Sequence, residues 1–212
     1  MNKLLFYILI FCFAGATNSY AQLDRKLHYG INAGGGLGIQ SINNPSVTGN
    51  TAIRTFNAEA LVYIPVLKQY FIRTGVGFQN KGTIFEEDAL TTTNKLRYIE
   101  LPVALIRKFH VQTLGDVVLG AGGYLAQGLS GSIHYETPSS DNFNKVTFGN
   151  DADFQLYDGG LRFVSGLELN NRLTFNLGYD LGLYNIASQT LKDAGYTSVY
   201  NRQFTMTLGL VF

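Results

Sequence analysis

The chain has 212 residues, with 16 Lys and Arg against 15 Asp and Glu, a formal charge of +1. That balance offers no electrostatic footprint to nucleic acid, and the length suits one domain. Charged residues make up 15% of the chain, where soluble globular proteins sit near ~25%; with 24 Gly, 13 Tyr and 15 Phe, this composition points away from an ordinary soluble enzyme and towards a membrane barrel.

Met1-Asn2-Lys3 is followed by the apolar run Leu4 to Phe13 and then by small and polar residues up to Ala21. This is the pattern of a cleavable signal peptide over residues 1–21, with Ser19-Tyr20-Ala21 setting cleavage before Gln22. The apolar run is shorter than the roughly 20 residues a helical span requires. Cys12 lies inside that run behind Phe11, which argues against lipidation. Removal of 1–21 takes away the single cysteine and Lys3, leaving residues 22–212 with 15 basic and 15 acidic residues and no thiol.

Period-two alternation then recurs eight times, the signature of strands whose successive side chains point to opposite faces. The first stretch, 28–40, sets Tyr29, Ile31, Ala33, Leu37 and Ile39 against His28, Asn32, Gln40 and several glycines. The second, 53–64, sets Phe56, Ala58 and Val62 against Asn57 and Glu59; the third, 70–80, sets Ile72, Val76 and Phe78 against Arg73 and Gln79. The fourth, 95–108, opposes Ile99, Leu101, Val103 and Leu105 to Tyr98, Glu100, Pro102 and Ala104, and the fifth, 116–127, opposes Leu119 and Leu125 to Gly122 and Tyr124. The sixth, 156–169, opposes Leu161, Phe163 and Leu167 to Asp158, Arg162 and Glu168, and the seventh, 172–184, opposes Phe175, Leu177 and Tyr179 to Asn176 and Asp180. The last, 201–212, places Phe204, Met206, Leu208, Leu210 and Phe212 opposite Gln203, Thr205 and Thr207.

The connections alternate as well. Segments 41–52, 81–94, 128–155 and 185–200 are long and polar, and 65–69, 109–115 and 170–171 are short. Segment 128–155, rich in Ser, Asn, Asp and Gly, is expected to be the most mobile. The predicted fold is all-β, an eight-stranded antiparallel up-and-down transmembrane barrel, with termini and short turns in the periplasm and the long loops outside. Its apolar face meets lipid, with aromatic residues (Tyr29, Tyr70, Phe109, Tyr157, Phe204, Phe212) near the strand ends as an interfacial girdle. A soluble lipid-carrying barrel would show the same alternation with the faces exchanged; the polar face here, dominated by Gly, Thr and Asn with few Lys, suits a narrow lumen better than a solvated surface.

Several short motifs carry a family resemblance: Tyr98-Ile99-Glu100-Leu101-Pro102-Val103, Leu119-Gly120-Ala121-Gly122-Gly123-Tyr124, Tyr157-Asp158-Gly159-Gly160, Tyr179 to Ile186, and the ending Leu208-Gly209-Leu210-Val211-Phe212. In this order they resemble the PorT-like outer-membrane β-barrel family. The resemblance implies an eight-stranded barrel inserted by the barrel assembly machinery through a C-terminal signal, which Phe204, Met206, Leu208, Leu210 and Phe212 would supply. It also implies a possible tie to protein secretion, since some relatives have one, while many have no assigned activity.

Alternation assigns Glu59, Arg73, Glu100, Asp158, Arg162, Glu168 and Asp180 to the lumen. Buried charges are costly unless paired, so Arg73 and Arg162 are expected to bridge the carboxylates and plug the barrel; an ion or proton path through eight strands is the alternative, and such a lumen leaves little room for one. Paired luminal carboxylates are the residue type for acid and base chemistry, yet no substrate cleft is evident beside them. His28, His110 and His134 share no metal-ligand spacing, and neither metal nor cofactor is expected. A lipid-modifying enzyme would need His134 with Ser130 or Ser132, a rival to the solvated loop histidine. Gly34-Gly35-Gly36-Leu37-Gly38 lacks the following helix that a nucleotide-binding turn requires. Glu86, Glu87 and Asp88, with Asp141, Asp151 and Asp153, are loop acids that could hold divalent cations between lipopolysaccharide phosphates. The expectation is a monomeric, non-enzymatic outer-membrane protein with a structural or interaction role, accessory to envelope assembly or secretion, in contact with lipid and lipopolysaccharide.

Overall fold

The computed structural model describes residues 26–87, 90–137 and 140–212. The expected signal peptide, 1–21, and Asp88 lie outside them, as do the side chains of Glu87 and Asp141. The elements follow in the order β1 (His28–Asn43), β2 (Val47–Thr51), β3 (Ile53–Leu67), β4 (Tyr70–Glu87), β5 (Leu90–Val111), β6 (Gly115–Thr137), β7 (Ser140–Val146), β8 (Tyr157–Leu169), β9 (Leu173–Gly182), the short helix α1 (Gln189–Asp193) and β10 (Ser198–Val211).

Eight of these strands form a ring. β1, β3, β4, β5, β6, β8, β9 and β10 each pair antiparallel with the next. β10 returns to β1 in an unbroken register from Gly30↔Val211 to Asn43↔Ser198. At the end of that seam Tyr29 and Phe212 exchange backbone hydrogen bonds of 3.2 and 2.7 Å. Closure is what a lipid environment demands, because hydrocarbon offers no partner to the backbone groups of an open edge. The glycine run of β1 belongs to this seam: a Cβ on Gly34 or Gly36 would run into the carbonyl oxygen of Met206 or Phe204 on β10.

The faces are those of a membrane barrel. Leu101, Val103, Phe175 and Leu177 point away from the ring and are 41–47% exposed, while Glu100 and Asp180 point inward and are 1% and 2% exposed. A soluble lipid carrier needs the reverse, an apolar interior under a polar coat, and is excluded by this arrangement. Phe204, Met206, Leu208 and Leu210 lie on the outward face of β10, and Phe212, just beyond its end, is exposed as well.

Three tight turns occupy one end, at 68–69, 112–114 and 170–172, the last with Arg172 at φ 72°. The other end differs from the sequence expectation. Segments 81–94 and 128–155 are not mainly loops. β4 and β5 run on as a paired hairpin to Glu87 and Leu90, β6 extends to Thr137, and β7 folds back on it from Thr137↔Ser140 to Gly131↔Val146. β2 likewise adds to β4. Length and polarity made these segments read as loops, but their Thr residues suit a pleated sheet, and inward Phe85, Ile133 and Val146 are buried and fasten the extensions.

Candidate functional site

The interior holds the polar residues that alternation assigned to it, arranged in three levels. At mid-height Arg162 on β8 is the hub. Its Nε and Nη2 each donate to Asp180 on β9 at 2.6 Å, and Nη1 donates to Glu59 on β3 at 2.8 Å. Nη2 also pairs with Glu100 on β5. A planar guanidinium with five donors can hold three carboxylates at once, which an ammonium cannot do with the same geometry. Arg73 on β4 donates to the other oxygen of Glu59 at 3.0 Å, and Gln79 donates to Glu59 at 3.2 Å.

Asp158 and Glu168 do not meet an arginine, against the expectation that Arg73 and Arg162 bridge every luminal carboxylate. Asp158 is held by Lys81, whose Nζ stands 3.0 Å from both Asp158 and Glu100, 3.9 Å from the Tyr124 ring centroid and 5.5 Å from that of Tyr98. Asn201 donates to the same carboxylate at 3.0 Å. Glu168 lies nearer the turns and pairs with Lys108 at 2.6 Å, whose ammonium also stands 5.0 Å from the Phe71 ring and 5.4 Å from the Tyr63 ring. The sequence reading missed both lysines. Each continues the inward parity of its strand, Lys81 after Arg73, Gly77 and Gln79, and Lys108 after Glu100 and Ala104.

Above and below this belt apolar clusters, which strict alternation did not anticipate, share the lumen with uncharged polar residues, Gln40 and Asn94 at one end and Asn32, Thr174 and Asn176 at the other. Towards the turns, Leu61, Tyr63, Ala104, Ile106, Val118 and Val211 form one buried cluster. Towards the long segments, Leu96, Tyr98, Tyr124, Ile133, Phe154 and Ile186 belong to another. The second is completed by chain outside the ring. Phe154, 2% exposed, is carried into the mouth by the segment after β7. Gln155 N donates to the Ile186 carbonyl at 2.9 Å, and Gln189 N donates to that of Asn150 at 2.8 Å. The Ser188 hydroxyl donates to the Asp153 carbonyl at 3.2 Å. Two outer segments thus lock onto each other across the opening.

The remaining candidates are dispersed. His28 packs edge-on to Phe71 at 6.4 Å, and His110 stands 3.0 Å from Asp116 beside a turn. His134 lies against Phe143 at 6.4 Å on the β6–β7 hairpin, and Ser130 and Ser132 share its strand. Of the loop acids, Asp153 accepts from the amide and hydroxyl of Thr147 at 2.7 and 2.8 Å and so shapes the mouth segment, and Glu86 is exposed on β4.

A family model described as outer membrane protein beta-barrel domain matches residues 18–188. No curated protein matches the chain. Among solved structures, Neisserial surface protein A is similar at 14% identity over 87% of this chain and 97% of that one, with a TM-score of 0.48. Ail, the attachment invasion locus protein of Yersinia pestis, is similar at 14% identity over 87% and 98%, with a TM-score of 0.38. The family match covers most of the chain and stops short of β10, the strand that closes the ring in the structure. The chain belongs to the outer membrane protein beta-barrel domain family and is an integral barrel of a Gram-negative outer membrane.

Proposed function

We propose that this protein is a closed, non-conducting barrel that works as a structural or interaction protein through its outer segments, accessory to envelope assembly or protein secretion. The observation that carries this reading is the three-level occlusion of the lumen. An ion crossing it would have to part the apolar cluster at each end and displace Arg162 and Lys81 from the carboxylates they pair with. The charges that could serve transport or acid–base chemistry are consumed by internal pairing, and the surfaces left for a partner are the lipid-facing wall and the extended β4–β5 and β6–β7 hairpins.

The reading includes the PorT-like placement within the family, a cleaved leader over 1–21, assembly through the aromatic C-terminal strand ending in Phe212, a monomeric state, and termini on the periplasmic side. Three tight turns at the end bearing the termini, against long extensions at the other, support that orientation. The test is single-barrel recording in a planar bilayer. A closed plug gives no steady conductance above the bare membrane, whereas sustained open channels from the purified barrel overturn the reading. Proximity labelling from Glu136 in the β6–β7 hairpin then identifies what the outer segments touch.

A further inference from the structure

The pairing of β5 with β6 contains one irregularity with a large effect on which side chains face out. Tyr98 opposes Gly128 but Arg97 opposes Ser130, so Leu129 is an extra residue, a β-bulge. Bulges reverse the facing of everything beyond them. Below the bulge the even-numbered residues Tyr124 and Ala126 are buried in the lumen; beyond it Ile133 takes the inward place and Ser130, Ser132 and His134 are turned to the outer face.

That reversal assembles a cationic surface. Arg97 lies beside Ser130 in one cross-strand row, and the next row reads Lys95, Ser132, Lys145 across β5, β6 and β7. All three cations are exposed, and among the described residues no carboxylate is paired with them. Strand spacing puts the Lys95 and Lys145 backbones about 10 Å apart and the two rows about 7 Å apart. Directly below on the same face Ile99, Leu125 and Leu129 are 42%, 69% and 52% exposed, with the polar Gln127 exposed among them. The cations therefore begin where the hydrocarbon-facing belt stops, at headgroup height. The carboxylate of Glu136 stands two rows further out, at the hairpin tip. On the adjoining wall, β8, β9 and the chain after them present Tyr157, Tyr179, Leu183 and Tyr184, exposed and uncharged, while across the ring Arg54 on β3 and Arg202 on β10 are exposed on either side of β1.

We infer that the outer face of the β5–β6–β7 extension binds the phosphate groups of lipopolysaccharide in the outer leaflet, with Lys95, Arg97 and Lys145 supplying charge and Ser130 and Ser132 supplying hydroxyl donors. Three cations within one headgroup's reach, level with the membrane interface, match a lipid-borne phosphate better than a soluble anion, which would not need the apolar wall beneath. The inference rests on the proposed orientation, because lipopolysaccharide occupies the outer leaflet alone. The serines then have a binding role and not a hydrolytic one.

The test uses the purified full barrel in detergent micelles, with diphosphoryl lipid A, its dephosphorylated form and phosphatidylglycerol as probes. Retention of each lipid is read by native mass spectrometry. The expected result is selective, salt-sensitive retention of diphosphoryl lipid A, reduced at least tenfold by Lys95→Gln/Arg97→Gln/Lys145→Gln and unchanged by Lys68→Gln/Arg172→Gln at the turn end. Equal retention by the first variant, or of the dephosphorylated lipid, overturns the site. Equal retention of phosphatidylglycerol reassigns it to phospholipid and overturns the lipopolysaccharide assignment. Orientation is read separately, by labelling Glu136→Cys on intact cells with an impermeant maleimide; failure to label there, with lipid A retention intact, overturns the orientation and leaves the phosphate chemistry standing.

Discussion

The middle of the lumen and its two ends are filled by opposite chemistries. In the middle, Glu59, Glu100, Asp158 and Asp180 surround Arg162 and Lys81; at the ends, Ile106 and its neighbours on one side and Leu96, Phe154 and Ile186 on the other exclude every charge but the Lys108 and Glu168 pair at the margin. The ends explain why the middle is tolerable. A charge lattice open to water would be screened and solvated, and its members would gain little from one another. Sealed between apolar clusters it becomes a network in which each ion depends on the rest. Removing an ion from the centre should therefore cost more than removing apolar volume from an end, and either should cost more than removing an ion from the margin.

The largest effect is expected from Arg162→Met. It leaves Glu59, Glu100 and Asp180 without their shared partner, and stranding buried charge in this way costs about 3–5 kcal/mol. The urea midpoint of the folded barrel in lipid vesicles, read by its heat-modifiable gel shift, should fall accordingly. A midpoint within error of the parent would show the lattice to be hydrated and the seals ineffective. Lys81→Met should come next. Its loss exposes Asp158 and Glu100 to each other, and adding Asp158→Asn should restore more than half of the lost stability. Additive losses in the double variant would mean that Lys81 acts by packing against Tyr98 and Tyr124 and not by charge. Ile106→Ala then tests an end: the side chain is fully buried, and truncating it should cost about 2–4 kcal/mol through lost burial and the cavity left behind.

Alternation sufficed for the ring and its facing because hydrocarbon penalises a single polar residue on the outer wall, so Ile99 to Leu105 and Phe175 to Tyr179 could not vary much. It was weaker inside, where no such penalty applies. Leu61 and Ile106 sit on inward parity among polar residues, and nothing in the chain marks them as a seal, because the cluster is gathered from four strands, β3, β5, β6 and β10. Lys81 and Lys108 were hidden differently. Alternation reads as strands ending near Gln79 and at Lys108, yet the inward parity runs through both lysines. Five luminal carboxylates set against Arg73 and Arg162 alone also left a charge deficit, which was the signal that cations were missing. The Leu129 bulge leaves no trace in the sequence, since Gly128-Leu129-Ser130 continues the apparent alternation. Its effect, turning Ser130 and Ser132 outward beside Lys95 and Arg97, emerges only from the register with β5.

The smallest effect belongs to the margin. Lys108 and Glu168 stand closer, at 2.6 Å, than Lys81 stands to either of its carboxylates, yet their side chains keep 11% and 18% of their exposure, where Lys81 and Glu100 keep 1% and none. Water reaching either member can take over the role of its partner, so distance alone overstates the strength of the pair. Lys108→Met keeps the aliphatic stem against Tyr63 and Phe71 and removes only the charge. The expected loss is about 1 kcal/mol or less, as for partly solvated pairs, and raising the salt concentration should shrink it further. A loss as large as that of Lys81→Met, insensitive to salt, would place Glu168 behind the seal. The apolar cluster at the turn end would then be a lining that ions share, and the division between middle and margin would fail.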